Sequence, residues 1–191
     1  MKILFVATIS DTVNGFLIPH IKSLVLQGNM VGIAANPIEA WNPELNELGC
    51  KVHPVEFQRN PLKKENYSAY QKIKRIVENE GYEFVHVHTP VASFLTRYAC
   101  RRMKDVKVLY TAHGFHFFKG ASTKNWLLYY SLEKLAARWT DGIVTMNDED
   151  YRAAKRLKGR KEDSVYKIHG IGLDLDTFVP QTPELKSRLR Q

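Results

Sequence analysis

Short apolar runs rich in β-branched residues recur along this chain, at Ile3–Thr8, Val31–Ala35, Lys51–Val55, Phe84–His88, Val106–Thr111, Gly142–Met146 and Val165–Ile168. Between most of them lie longer stretches with helical periodicity: Gly15–Gln27, Asn66–Glu80, Val91–Met103, Lys124–Arg138 and Asp148–Leu157. A strand covered on both faces reads as a continuous apolar run, and an outer helix reads as a period of 3.6. Their alternation predicts an α/β fold, a doubly wound and mostly parallel Rossmann-like sheet with helices on both faces. Such sheets bind ligands at the carboxyl ends of their strands. The segments opening at Ile9, His88, Ala112 and Asn147 therefore share one edge.

At 191 residues, 44% hydrophobic and 25% charged, the chain can bury a real core in one large domain. No repeat or low-complexity tract interrupts it. No apolar run approaches the roughly 18 to 20 residues of a spanning helix, and Met1–Thr8 is too short for a signal peptide. Cys50 and Cys100 lie far apart without metal-ligand spacing. The expectation is a reduced, cytoplasmic chain without a disulfide.

The net charge of +8 favours an anionic partner: nucleic acid, nucleotide sugar or an anionic membrane. Most basic residues fall in the helix-like segments Lys63–Arg75, Arg101–Lys107 and Arg152–Lys161, where solvated outer faces account for most of them. No helix-turn-helix, RNA-recognition or zinc pattern occurs, which disfavours nucleic acid.

Four places carry candidate chemistry. After the first strand, Asn14-Gly15 precedes a predicted helix, where a glycine either makes a simple turn or lets a phosphate approach backbone N–H groups. The absence of G-x-G-x-x-G disfavours a standard dinucleotide site. His86 and His88 share one face of a strand, a beginning for a metal site that finds no third ligand. His86 reads as a hydrogen-bonded strand residue, and His88, nearer the edge, as a cleft-lining one. His113 follows a strand directly and precedes Gly114, so its imidazole belongs at the ligand edge, able to donate to a sugar hydroxyl or a developing negative charge. His116, Phe117 and Phe118 read as shaping the loop or an acceptor surface. Asn147 reads as a helix cap, and Asp148, Glu149 and Asp150 as capping and dipole partners rather than catalysts.

Together these residues resemble the N-terminal half of a retaining glycosyltransferase of family 4, with the two-Rossmann-domain GT-B architecture, closest to bacterial enzymes of capsule and exopolysaccharide synthesis. The run YTAHGFHFFKGASTKNWLLYYSLEKLAARWTDGIVTMNDED, Tyr110 to Asp150, carries most of the resemblance. FVHVHTP, the Gly15 segment and IHGIGLDLDTF add to it.

The resemblance implies a catalytic His113 facing the interdomain cleft near the transferred sugar. It places Asn14 and Gly15 toward the donor diphosphate, although Asn14 stands where the family more often has glycine. His88, Gly114, His116, Lys119 and Asn147 would line the cleft or the acceptor side. Residues 1–170 would form the acceptor-side domain, and 171–191 the start of a linker and helix toward a second, donor-binding domain. The chain thus reads as a fragment inactive by itself. The implied substrates are a nucleotide sugar and a growing saccharide on a polyprenyl-diphosphate lipid, with peripheral contact to the anionic inner membrane and no metal or other cofactor. Two alternatives stand beside this reading: half of a GT-B-fold sugar-nucleotide epimerase, and a non-catalytic glycan- or partner-binding module.

Overall fold

The computed structural model describes residues 1–157, 159, 163–172 and 181–190. Its strands are β1 (Lys2–Ile9), β2 (Met30–Asn36), β3 (Lys51–Pro54), β4 (Phe84–His88), β5 (Lys107–Ala112), β6 (Gly142–Thr145) and β7 (Val165–Lys167). They form one seven-stranded sheet in the order β3-β2-β1-β4-β5-β6-β7, and every pairing is parallel. The helices are α1 (Ser10–Thr12), α2 (Ile18–Leu26), α3 (Glu44–Glu47), α4 (Glu65–Glu80), α5 (Pro90–Cys100), α6 (Thr123–Ala137), α7 (Asp148–Arg156) and α8 (Pro183–Arg188). This is the doubly wound fold the apolar runs predict.

Alternation along the central strands feeds two cores. Leu4, Val6, Val85, Val87, Val108 and Tyr110 point to one face and pack with Ala69 and Ile73 of α4 and Ala92 and Ala99 of α5. Ile3, Phe5, Ala7, Ile33 and Ala35 point to the other and pack with Val13, Leu17, Ile21 and Leu45. Because β1 is covered on both sides, it is buried from Ile3 to Ile9, which is why it reads as an unbroken apolar run.

The first helix differs from its prediction. The chain passes from β1 straight into a helical segment at Ser10, so no loop opens at Ile9 and Gly15 lies inside the helix, not at its start. Two causes are visible. Val13 must sit fully buried under the sheet, which brings the helix start forward. Pro19, at the beginning of α2, cannot donate to the carbonyl of Gly15, and the ladder widens just before it into a π-helical turn, Val13–Leu17. The single turn of α3 was not read from sequence. In the interdomain-crossing run, Leu173–Phe178 lies outside the described residues. Beyond it Thr182 caps α8, its Oγ1 accepting from Leu185 N at 3.2 Å. Cys50 and Cys100 are buried and unbridged. Among the described residues no helix is long and apolar enough to cross a membrane.

One charged pair crosses the interior. Arg97 of α5 and Glu133 of α6 meet at 2.9 Å with side chains 0% and 9% exposed. The Arg97 guanidinium lies 4.2 Å from the Tyr110 ring centroid, so the pair ties both helices to β5. Such a pair is costly to desolvate and costlier to break, because the surviving partner stays buried with its charge uncompensated. Glu133→Leu alone should destabilise the chain by about 3–5 kcal/mol, while Arg97→Met with Glu133→Leu should recover most of that loss. A double-mutant cycle by urea denaturation measures both, and additive losses would show that the pair is not coupled.

Candidate functional site

Winding reverses at β1, which pairs with β2 on one side and β4 on the other. Connections on the two sides leave in opposite directions, and a crevice opens at the carboxyl ends of β1 and β4. Its floor is Thr89, the residue between β4 and α5. The Thr89 Oγ1 accepts from Thr8 N at 3.0 Å, lies 2.7 Å from Thr8 Oγ1 and donates to the His88 carbonyl. Thr89 has φ 63°, a conformation costing a non-glycine residue about 1–3 kcal/mol and held only where its surroundings impose it. Here the three hydrogen bonds and the fixed ring of Pro90 impose it.

Above this floor two cavities of about 360 and 270 Å³ share Thr12, Thr89, Pro90 and His116 and so form one crevice. The larger adds His113, Gly114, Phe16 and Tyr110, and the smaller adds Thr8, Arg59 and Tyr129. Gly114, at φ 155°, turns the chain away after His113 in a conformation that side chains disfavour. His116 packs on Tyr129, ring centroids 4.7 Å apart.

The imidazoles form a connected row. His86 Nε2 lies 2.8 Å from Thr111 Oγ1, and His88 Nδ1 lies 3.0 Å from His113 Nε2. His88 is 3% exposed, and its Nε2 is buried with no hydrogen-bond partner among the described residues. Two imidazoles at this distance need one N–H and one lone pair. If His88 accepted at Nδ1, its proton would sit on Nε2 as an orphaned buried donor, the rarer and costlier defect. The network therefore assigns the proton of His88 to Nδ1, donating to His113 Nε2. His113 then keeps its own proton on Nδ1, the nitrogen left to meet a ligand. Burial first, then repulsion among neighbouring imidazoles, holds His88 well below the ordinary value and His86 near about 3. Desolvation also lowers His113. The row is neutral at pH 7 and offers dipoles, not cations.

The structure brings His88, His113, Gly114 and His116 together. Asn14 instead fastens a neighbouring loop, its Nδ2 donating to the Ala40 carbonyl at 2.9 Å and its Oδ1 accepting from Asn42 N at 3.1 Å. Gly15 is exposed on the π-turn with nothing within 4 Å of where a Cβ would stand, so the space beside it is open. Asn147 caps α7, accepting from Asp150 N at 2.8 Å and donating to Asp150 Oδ2 at 2.7 Å. Lys119 lines a separate depression against α7.

The acidic cluster does cap α7, but it also anchors the candidate loop: Asp150 Oδ1 accepts from Phe115 N at 3.3 Å and Glu149 Oε1 from Lys119 N at 2.6 Å. Sequence reading missed Thr8 and Thr89. The one available signal was a polar residue between a strand and a helix-starting proline. Among the described residues no group of His, Cys, Asp and Glu could hold a metal ion.

A parallel sheet flanked by helices, with a crevice at its switch point, is consistent with one Rossmann-like half of a GT-B architecture. Residues 2–147 match the family described as Glycosyl transferase 4-like, and the chain belongs to that family. It is 41% identical over 192 residues to EpsD of Bacillus subtilis (strain 168), which carries the name glycosyltransferase; the match covers 100% of this chain and 49% of EpsD. It is 32% identical over 108 residues to the Escherichia coli UDP-Gal:alpha-D-GlcNAc-diphosphoundecaprenol alpha-1,3-galactosyltransferase, covering 56% of this chain and 27% of that protein. The solved structure of Anabaena Alr3699/HepE in complex with UDP and glucose superposes with TM-score 0.66 at 18% identity, over 100% of this chain and 49% of that one. The chain thus spans about half the length of the relatives it matches end to end.

The neutral row makes stability depend on pH. In the unfolded chain these histidines titrate near about 6.5, whereas in the fold His86, His88 and His113 titrate lower. Below about 6.5 the unfolded state binds more protons, so stability should be fully present above that pH and fall as the solution is acidified. The urea midpoint should drop between pH 7 and pH 5. His88→Asn, which keeps a donor where Nδ1 stands but cannot titrate, should reduce the slope there by up to about 1.4 kcal/mol per pH unit. A midpoint flat across that window would mean that the imidazoles are not desolvated as described.

Proposed function

We propose that this chain is the acceptor-side half of a retaining glycosyltransferase. In the whole protein it would transfer a sugar from a nucleotide-sugar donor to a growing bacterial surface saccharide carried on a polyprenyl diphosphate. The observation that carries the reading is the His88–His113 hydrogen bond at the switch-point crevice in a chain of the Glycosyl transferase 4-like family. The activity for which the Escherichia coli relative is named, transfer from a UDP-sugar to a diphosphoundecaprenol-linked sugar, supports the donor and acceptor classes.

Transfer develops positive charge on the sugar ring and negative charge on the departing diphosphate. A neutral His113, held with its proton on Nδ1, suits donation to a hydroxyl of the transferred sugar without repelling an oxocarbenium-like ring. The open backbone at Gly15 leaves room for the donor diphosphate. Charge stabilisation of the leaving group would come from a second domain, and residues 1–170 would serve as the acceptor-side wall of the cleft. The site would then face the cytoplasm, with the protein resting on the inner membrane surface through Lys63, Lys64, Arg101 and Arg102.

In the full-length protein, assayed against a panel of nucleotide sugars and lipid-linked acceptors, His113→Ala should lower turnover by roughly 10²-fold or more, the scale of a positioned donor or charge-stabilising group. His116→Ala should cost less. Wild-type turnover in a folded His113→Ala protein, or no transfer from any nucleotide sugar, would remove the reading. Membrane contact is checked separately: liposome binding should rise with anionic lipid and weaken with salt, since exposed charges are screened over about 10 Å at 0.1 M.

A further inference from the structure

A second concave site lies on the same edge of the sheet, outside the crevice. Between α6, α7 and the loop after β5 is a depression of about 520 Å³ lined by Phe117, Lys119, Trp126, Tyr130, Arg152 and Arg156. Its aromatic members pack on one another. Trp126 and Tyr130, one helical turn apart on α6, stack with ring centroids 4.7 Å apart and planes 18° from parallel. Phe117 meets Tyr130 edge-on at 5.4 Å. Trp126 nevertheless remains 38% exposed, and so presents a large apolar ring to whatever enters.

The charges point the same way. Arg152 and Arg156 are four residues apart on α7, a spacing at which like charges repel. Neither makes an ion pair with another described residue. Lys119 brings a third cation, its position fixed by its own backbone N–H on Glu149. Glu149 is the acid in the lining, and one of its oxygens is committed to that bond. Asp148 pairs first with Lys167, at 2.7 Å, and feels Arg152 only as a weaker neighbouring charge. An anion entering the depression would relieve this unbalanced charge, and paired guanidinium groups suit a carboxylate or phosphate in particular.

We propose that this depression binds an acidic saccharide, with a sugar ring laid on the Trp126 indole and its carboxylate or phosphate received by Arg152, Arg156 and Lys119. A flat apolar ring bordered by a few convergent charges is the composition of a small-ligand site. A bilayer is the poorer occupant because the aromatic surface is recessed, whereas the protruding apolar residues of α6, Leu127 and Leu128, do not line this depression. The inference does not depend on which donor or acceptor the crevice takes.

The test uses the 191-residue chain, labelled with ¹⁵N, following the Trp126 indole N–H, assigned by Trp126→Phe. The probes are a glucuronate-containing tetrasaccharide, glucose 1-phosphate, a neutral tetrasaccharide of equal length, inorganic phosphate, and phosphatidylglycerol vesicles. At least one acidic sugar should shift the indole signal with a dissociation constant of about 1 mM or tighter, and the neutral sugar should bind about tenfold more weakly or worse. Whichever acidic sugar binds tighter identifies the anion as carboxylate or phosphate. Arg152→Glu with Arg156→Glu should abolish the shift while the Trp139 indole signal and the thermal midpoint stay unchanged. The proposal is overturned by equal binding of the neutral sugar, by inorganic phosphate reproducing the whole response, by a response to vesicles alone, or by no response at all. None of those outcomes bears on transfer at His113, which the full-length assay decides.

Discussion

The architecture of this protein follows from how the sheet is wound. Parallel strands cannot be joined by tight turns, so each connection must cross back over a face, and right-handed crossovers place it on a face set by the direction of travel. From β1 the chain travels one way to β2 and β3 and then the other way from β4 to β7. That places α2 and α3 on one face and α4, α5 and α6 on the other. The reversal leaves the carboxyl ends of β1 and β4 with their continuations diverging. Thr89 closes that seam by bonding back to Thr8 with a backbone conformation that threonine does not choose for itself. Strain at this position is the local cost of keeping the crevice floor in place while α5 departs at once through Pro90.

How far this was legible in the sequence depends on the range of the interaction. The strands showed because a doubly covered strand writes its burial directly into consecutive residues, as β1 does. The candidate histidines showed because position at a strand end is a local property: His88 closes β4 and His113 follows β5. Their mutual hydrogen bond could not show, since it joins residues 25 apart through strand register. Arg97 was hidden for the same reason. An arginine on a helix reads as solvated, and its meetings with Glu133 and the Tyr110 ring, both distant in sequence, explain its complete burial. The Gly15 segment misled through local pattern, because a glycine after a strand resembles a turn until Pro19 and the burial of Val13 are weighed together.

The acidic stretch at the start of α7 shows one motif serving two ranges. Reading Asn147 and Asp150 as a cap is correct, since each satisfies the other. Yet the remaining carboxylate oxygens reach across 30 to 35 residues to hold the backbone of Phe115 and Lys119. Capping chemistry fixes the carboxylates in place, and fixed carboxylates can then anchor a loop that has little regular structure of its own. The aromatic packing of Phe115 on Phe117, ring centroids 4.6 Å apart, completes the anchoring from the core side. The loop that carries His113 and Lys119 is thereby referred to the rigid sheet at both ends.

This anchoring gives α6 its place in the site. Consecutive residues on a helix turn by about 100°, so Tyr129 and Tyr130 look in different directions from one backbone. Tyr129 borders the crevice beside His116, while Tyr130 stacks on Trp126 in the cation-lined depression. The same turn of helix is therefore a partition, with the His88–His113 pair on one side and, on the other, guanidinium groups that form no ion pair among the described residues. Neutral dipoles can hold an uncharged sugar at a reacting centre without competing for its developing charge, whereas cations hold an acidic sugar most firmly where no chemistry is asked of it. On the roles proposed for the two sides, separating them by one helix would let binding strength and reactivity be set independently, and the burial of Glu133 farther along α6 ties the partition to β5.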